Sequence, residues 1–501
     1  FLNKRVETTG GLMASLFRSN FKKMMRDVEN QAKLELSKRR FDDLASGLAK
    51  KIKKSTIDSG LKYGLSTGNW GLKNQSNKKG IAQVLNRLSY LGFLSHLRRI
   101  QAPIDKTLKN TAPRKLHNTQ WGKICPAESP EGQSIGIVKN MSLTTYITTP
   151  SSSEPVRAYL QELEVKLIDD IKPSDIYRNC KILVNGDWIG IHFEPHILIK
   201  SLYEYRRIGK INIFTSISWD VKENEMNIFT DGGRLSRPLF IVEDNQLVIK
   251  DDAIAKLKSN DLTWEDLLVS KDGSSCMEYI DVHEENTSMI SQCINHLKIN
   301  KRTDDKFYKY THCEIDPTLI FGIVASVIPL IERNQAPRVL FYCAQAKQGI
   351  GIYATNFENR LDTMGHVLYY PQCPLVSTNN SNYINFNELP SGQNVIVAIA
   401  SHTGYNQEDS IIINQSSLDR GLFVSSYFRT YFAKEQKNSS TLEEEKFCKP
   451  QKYNPNGTIR TNLMKQGASY DKLEENGFVK EGTRVNDGDV IIGKCIPLKT
   501  T

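Results

Sequence analysis

Read for the spacing of apolar and polar positions, the chain changes character several times. Residues 12 to 54 contain no Pro and no Gly before Gly47. Leu12, Leu16, Phe17, Met24, Met25 and Val28 recur among basic clusters, a spacing that predicts an amphipathic helix. From Gly60 to Gly80 the texture turns to Gly, Asn, Ser and Lys around Trp70, which predicts a loop. Between about 150 and 310 short apolar runs alternate with polar ones. Strands are predicted at Lys181–Val184, Ile211–Ile217, Met226–Thr230 and Leu239–Val242, the first closing on the hairpin turn Asn185-Gly186-Asp187. The run 300–310 reads as a linker, and Thr318–Ile331 as a buried helix. Apolar strands are predicted at Val395–Ala400, Ile411–Ile413 and Phe423–Phe432. The expected fold class is mixed α/β in several modules, with no repeat.

Length fits that picture, since 501 residues correspond to roughly three domains of about 150 each. The longest apolar stretch, Leu319–Ile331, is too short to cross a bilayer, so no membrane partner is expected. The net charge of +10 is mild until it is located. Residues 1–120 hold 25 Lys or Arg against 8 Asp or Glu, a balance of +17, and the remainder carries −7. A basic region on a neutral-to-acidic body points to a polyanion track, nucleic acid foremost. Conversely, residues 251–300 hold ten acids against four lysines, a surface that repels DNA. The nine cysteines include no C-x-x-C pair, which argues against a zinc ribbon or disulfide framework and for buried free thiols.

Three places can carry chemistry. In Gly404-Tyr405-Asn406-Gln407-Glu408-Asp409-Ser410, adjacent carboxylates lie between apolar runs; if desolvated they need a cation, and oxygen-only ligands favour Mg²⁺. By composition alone a solvated turn is the commoner outcome. In Asn334-Gln335-Ala336-Pro337-Arg338, followed by Ala346-Lys347-Gln348-Gly349-Ile350-Gly351, an Arg suited to phosphate precedes small residues that let a ligand approach backbone. A lone Arg more often pairs with a structural carboxylate. The third place, SHLRR (95–99) and RKLHNTQWGKICPAESPEG (114–132), is rich in Arg, Lys and His among loops. Its Cys125 and His117 lack the orienting third group of a cysteine protease.

These motifs, with IFTDGGRLSRPLFIVED (228–244), THCEIDPTLIFGIVASVIP (311–329), LDTMGHVLYYPQCPL (361–375) and ELPSGQNVIVAIASHTGYNQEDSIIINQSSLDRGLF (388–423), resemble the second-largest subunit of multisubunit DNA-dependent RNA polymerases. The RNA polymerase II type is nearest, and the bacterial β subunit is a more distant relative. The resemblance implies the end of a protrusion (1–60), a fork (61–130), two external modules (150–230 and 231–310) and the N-terminal part of a β-rich hybrid-binding domain (311–501). It implies template-directed RNA synthesis from nucleoside triphosphates, in complex with the largest subunit and other subunits, on template DNA and an RNA–DNA hybrid. Asp409 would help hold a second Mg²⁺, with Glu408 setting the local charge. Arg338 would contact the nucleotide's triphosphate, and Lys347 and Gln348 would lie near the RNA end. Arg98, Arg99, Lys73, Lys78 and Lys79 would meet nucleic-acid backbone in the fork. Where the polymerase II pattern has tyrosine, this chain has Phe341, so no catalytic role is assigned there. Zinc cysteines and paired lysines of the family are expected beyond Thr501, and the chain is expected to be a piece of a longer one. A nuclear location follows, or cytoplasm or virion if the source is a large DNA virus. The competing reading is a non-catalytic polymerase-like scaffold or DNA-binding subunit.

Overall fold

The computed structural model describes residues 1–501 except 38–51, 54, 71–78, 178, 271–273, 303–308, 438–443, 452–463 and 497–501. It divides into two compact units, Phe1–Phe357 with His366–Ser426, and Glu358–Gly365 with Tyr427–Thr501. Among the described residues no helix is long and apolar enough to cross a membrane.

The predicted amphipathic helix is present as α1 (Thr9–Ser37); of the rest of its predicted span, Ile52 and Lys53 are not helical and the other residues lie outside the described ones. The loop expected from Gly60 begins instead as helix α2 (Ser55–Thr67). Gly60 and Gly64 mark the seam between the two helices. A Cβ on Gly60 would sit 2.0 Å from the Asn20 Oδ1 of α1, and one on Gly64 would sit 2.8 Å from Leu16 Cδ2. Leu16, Asn20 and Met24, one turn apart, form the buried stripe of α1. Asn20 is further committed by donating to the Leu16 carbonyl at 2.9 Å. Gly60→Ala, which helix propensity alone would favour, is therefore expected to cost about 1–3 kcal/mol. Limited proteolysis should show earlier cleavage between α1 and α2 than in the parent.

Helix α3 (Tyr90–Leu97) leads into β1 (Arg99–Gln101), which pairs antiparallel with β2 (Val138–Asn140); β3 (Tyr146–Ile147) follows. After α4 (Glu154–Glu162) comes a five-stranded sheet ordered β4-β6-β5-β8-β7. Its strands are β4 (Lys166–Leu167), β5 (Cys180–Val184), β6 (Asp187–His192), β7 (Ser216–Asp220) and β8 (Glu225–Phe229). The β5–β6 turn holds Asn185 at φ +52° and Gly186 at φ +89°, the left-handed pair that the Asn-Gly sequence predicts. The strand expected from Ile211 starts only at Ser216. Val156 and Leu160 of α4 and Leu198 and Leu202 of α5 (Pro195–Ile208) share one core with Ile182, Ile217 and Met226.

The next sheet is built around β9 (Leu235–Glu243), which pairs antiparallel with β3, β10 (Gln246–Leu247), β11 (Met277–Asp281) and β13 (His312–Cys313). β12 (Ile290–Ser291) pairs parallel with β13.

Between α5 and this sheet lies a buried ionic network. Arg206 of α5 donates to Glu278 of β11 at 2.6 Å, to both Glu284 oxygens at 2.7 and 2.8 Å, and to the Thr215 carbonyl at 2.8 Å. Arg207 and His312 meet Glu278 Oε1 at 3.0 and 2.8 Å. Burial alone would push the Glu278 carboxyl up; Arg206, His312 and Arg207 reverse that and hold it well below the usual carboxylate range. Arg237 of β9 bridges Glu285 and Glu314, Trp121 donates to Glu314 at 2.6 Å, and Lys123 pairs with Glu285. Gly122 sits at φ +66° where a Cβ would lie 2.6 Å from the Arg237 side chain, so only glycine lets that guanidinium pass.

The single buried helix expected over Thr318–Ile331 is broken. A 3₁₀ turn at Pro317–Ile320 and a four-residue helix at Ile323–Ser326 take its place, the first capped by Asp316. The segment is nonetheless core, with Val324 and Ala325 packed against Cys125 and against Val339 and Cys343 of α6 (Ala336–Ala346). The predicted strands at Val395–Ala400 and Ile411–Ile413 are not strands; Ile396, Ile399 and Ile411 point into solvent. The third has a strand only at Ser425–Arg429. In the second unit, Lys446–Phe447 pairs with Lys494–Cys495 and brings Cys448 and Cys495 into a disulfide, against the expectation of free thiols throughout. Cys125, Cys180, Cys313 and Cys343 are buried and free as expected, while Cys373 is exposed.

Candidate functional site

Helix α6 starts from Gln335 in extended backbone with Pro337 in its first turn, where a missing N–H costs nothing. Val339 and Cys343 face the core, which leaves Arg338, Phe341 and Gln345 on the opposite, exposed face. The Arg338 guanidinium lies 5.9 Å from the Phe341 ring centroid, a cation–π contact between successive turns. Loss of the tyrosine hydroxyl thus leaves the ring's hold on the arginine intact. Gln348, just past the helix, is exposed as well.

Lys347 behaves differently. Its ammonium turns inward to Glu128 Oε1 at 2.8 Å, and the Glu128 side chain is 1% exposed. Ser95 of α3 donates to the same oxygen at 2.6 Å. Of the two SHLRR arginines, Arg98 also turns inward, donating to the carbonyls of Ser142, Leu143 and Thr145 at 2.5, 3.2 and 3.3 Å. Arg99 is half-buried, and Lys79 is exposed. Lys73 and Lys78 lie outside the described residues. His96, between these groups, accepts the Asn86 N–H at Nδ1 (3.1 Å), so Nε2 carries the proton toward Gln83. Burial, with the charges of Arg99 and Lys347, pushes its pKa down and keeps it neutral.

The GYNQEDS segment is a turn pinned by Asn406, whose Oδ1 accepts the His402 N–H at 3.0 Å and whose Nδ2 donates to the Ala400 carbonyl at 2.6 Å. Thr403, Gly404 and Glu408 all take left-handed backbone, at φ +55°, +74° and +54°. For Thr403 and Glu408 that conformation is strained. Glu408 and Asp409 are exposed and have no side-chain partner among the described residues. Among those residues no group of three or more His, Cys, Asp or Glu is placed to hold a metal ion, so the pair offers at most a share of a site completed from elsewhere. No hydrogen bond or ion pair among the described residues joins Asp409 to Arg338.

Sequence reasoning missed Glu128, although PAESPEG was in view. Its partner Lys347 is far along the chain, and nothing local marks an acid as buried.

Family models describe four stretches in order: RNA polymerase Rpb2 domain 3 at 83–147, domain 4 at 182–243, domain 5 at 264–317 and domain 6 at 324–501. The chain is 46% identical over 498 residues to DNA-directed RNA polymerase II subunit RPB2 of Encephalitozoon cuniculi, covering 99% of this chain and 42% of that protein. It is 45% identical to DNA-directed RNA polymerase II subunit 2 of Arabidopsis thaliana, over 99% of this chain and 41% of the relative. DNA-directed RNA polymerase subunit 2 of Acanthamoeba polyphaga mimivirus is 36% identical, over 100% and 42% respectively. The chain thus spans about two fifths of the length of these relatives, with 42% the typical share. Similarity running almost end to end, through four consecutive domain models, means that this chain belongs to the family of second-largest subunits of multisubunit DNA-dependent RNA polymerases.

Proposed function

We propose that the chain is part of the catalytic core of a DNA-directed RNA polymerase, working with the largest subunit and other subunits on template DNA, an RNA–DNA hybrid and nucleoside triphosphates, in the nucleus. The observation that carries this is the state of three charges. Among the described residues Asp409 and Glu408 have no side-chain partner and Arg338 has only its neighbouring ring, which leaves all three able to take an external ligand. A structural ion pair would have used them up, whereas a solvated turn would leave them exposed but would not account for Arg338 and the carboxylates falling in the motifs that the family resemblance assigns to nucleotide and metal.

In this reading the segment 1–60 is the end of the protrusion, 61–130 the fork, 150–310 the two external modules and 311–501 the start of the hybrid-binding domain. Arg338 sets a fixed cation against the triphosphate, where charge grows on the leaving pyrophosphate. Asp409 would share a Mg²⁺ with carboxylates of the largest subunit, and Glu408 would add to the field. When bound, the ion neutralises charge on the transferring phosphate. Gln348 would lie near the RNA end, and Arg99 and Lys79 supply backbone charge irrespective of template sequence. Arg98, spent on three carbonyls, acts by holding the fork's shape. Zinc, if the full protein has it, belongs to other residues.

The test is template-directed primer extension by the full subunit assembled with its partners. Arg338→Ala is expected to lower kcat/KM for the nucleoside triphosphate about 10²-fold, the scale for removing one charge-stabilising donor. The 501-residue chain alone is expected to extend nothing. An assembled complex in which Arg338→Ala changes no rate would instead support the scaffold reading.

A further inference from the structure

We infer that Glu128 is a positioning residue for nucleotide addition, acting through Lys347 to fix the C-terminal end of α6 against α3 and so to set where Arg338 and Gln348 stand. This rests on the proposed reading of Arg338 and Gln348 as nucleotide and RNA contacts. Two ties meet at that end of the helix. The Lys347 ammonium reaches Glu128 Oε1 at 2.8 Å, and the Lys347 carbonyl accepts the Ser89 hydroxyl at 2.6 Å. Ser89 caps α3 by accepting the Gly92 N–H, and Ser95, in the next turn, donates to Glu128 at 2.6 Å. The approach is close enough that a Cβ on Gly92 would stand 3.0 Å from the Lys347 carbonyl oxygen.

A buried carboxylate with a single cation beside it contributes little net stability, because desolvation offsets most of the attraction. What it supplies is direction: the pair is satisfied at one rotation of α6 about its axis. Val339 and Cys343 pin the inner face by packing, and the Lys347–Glu128 pair with the Ser89 bond ties the C-terminal end of the helix, beyond those two side chains. A rotation of the helix about its axis carries Arg338 and Phe341, on the opposite face, away from where they stand by the same angle.

Lys347 is thereby a strut, and the alternative, in which its ammonium touches nucleic acid directly, makes a different prediction. In the full assembled enzyme, Glu128→Gln is expected to raise KM for the nucleoside triphosphate about tenfold with kcat within about threefold, as misplacement of a binding group does. Scaffold affinity should be unchanged. Lys347→Gln should match it, Lys347→Arg should stay within about threefold of the parent, and the double variant should lose no more than the worse single. Additive losses, or weakened scaffold binding in Lys347→Gln alone, would overturn the strut. If Glu128→Gln prevents assembly, Ser89→Ala carries the test: a rise in KM of about two- to threefold is expected, and an unchanged KM overturns the inference. Arg338→Ala separates the levels. If it raises KM and Glu128→Gln does not, positioning alone falls; if it leaves KM unchanged, the nucleotide reading falls and takes the positioning role with it.

Discussion

Asp409→Ala in the assembled enzyme is expected to slow nucleotide addition about 10²–10³-fold while leaving assembly and scaffold binding intact, the loss typical of removing one group that stabilises transition-state charge. The expectation follows from what Asp409 does not do. Its carboxylate is exposed and, among the described residues, holds no hydrogen bond or ion pair, so removing it withdraws nothing from the described fold. Surface substitutions of that kind usually change stability by less than about 0.5 kcal/mol. Any large rate effect is therefore functional. Asp409→Asn, which keeps shape and loses charge, should fall nearly as far, and raising Mg²⁺ should recover part of the rate in Asn but not in the parent. Asn406→Ala gives the contrast, because it cuts both bonds that pin the turn and should misplace Glu408 and Asp409 together. Loss of subunit association in Asp409→Ala would give the residue a structural role instead.

The largest stability effect is expected at Arg206. Replacing it by Met leaves Glu278 and Glu284 buried without their main cation, a loss of about 3–5 kcal/mol. Arg207 and His312 still face Glu278, so Glu284 is the more exposed to this loss. Urea unfolding followed by intrinsic tryptophan fluorescence, with Trp219 beside the same core, measures it as a lower midpoint. Removing the three charges together, as Arg206→Met with Glu278→Gln and Glu284→Leu, should recover much of the stability, since the network's desolvation cost goes with it. A single-variant loss below about 1 kcal/mol would mean that water reaches the carboxylates.

Local signals in the sequence carried well where local chemistry decides. Asn185-Gly186 needs left-handed backbone and forms the hairpin; α1 is a helix as its period predicts, and Leu16 and Met24 are buried, though Phe17 and Met25 of the same stripe are exposed and the polar Asn20 takes a place in the seam. They failed where distant partners decide. Gly60 and Gly64 look like loop residues because glycine is a poor helix former, yet the reason for them is α1 lying against α2. Ile396, Ile399 and Ile411 read as strand because β-branched side chains favour it, but a strand needs a pairing edge, and none of the described residues supplies one. At the site, the motifs around Arg338, Glu408 and Asp409 were visible in the sequence, but the residues alone favoured a paired Arg and a solvated turn; that the three have no ion-pair partner among the described residues comes from the structure. Lys347 looked no different in the sequence and yet is paired, its partner Glu128 being brought to it only by the packing of α6 on the segment before it. Cys448 and Cys495, 47 residues apart, met for the same reason.

The pairing of β9 has a consequence for how the protein is made. Its partners span the chain from Tyr146 to Cys313, and three of the four, β10, β11 and β13, are synthesised after it, the last two only after the acidic stretch has begun. The β5–β6 hairpin can close almost as it leaves the ribosome, but β9 must wait with open edges while the acidic stretch is translated. Such a waiting edge invites pairing with other chains. A pause or chaperone engagement during translation of residues 244–313 would shield it, and ribosome-bound chains arrested before residue 277 should be the ones most prone to aggregate.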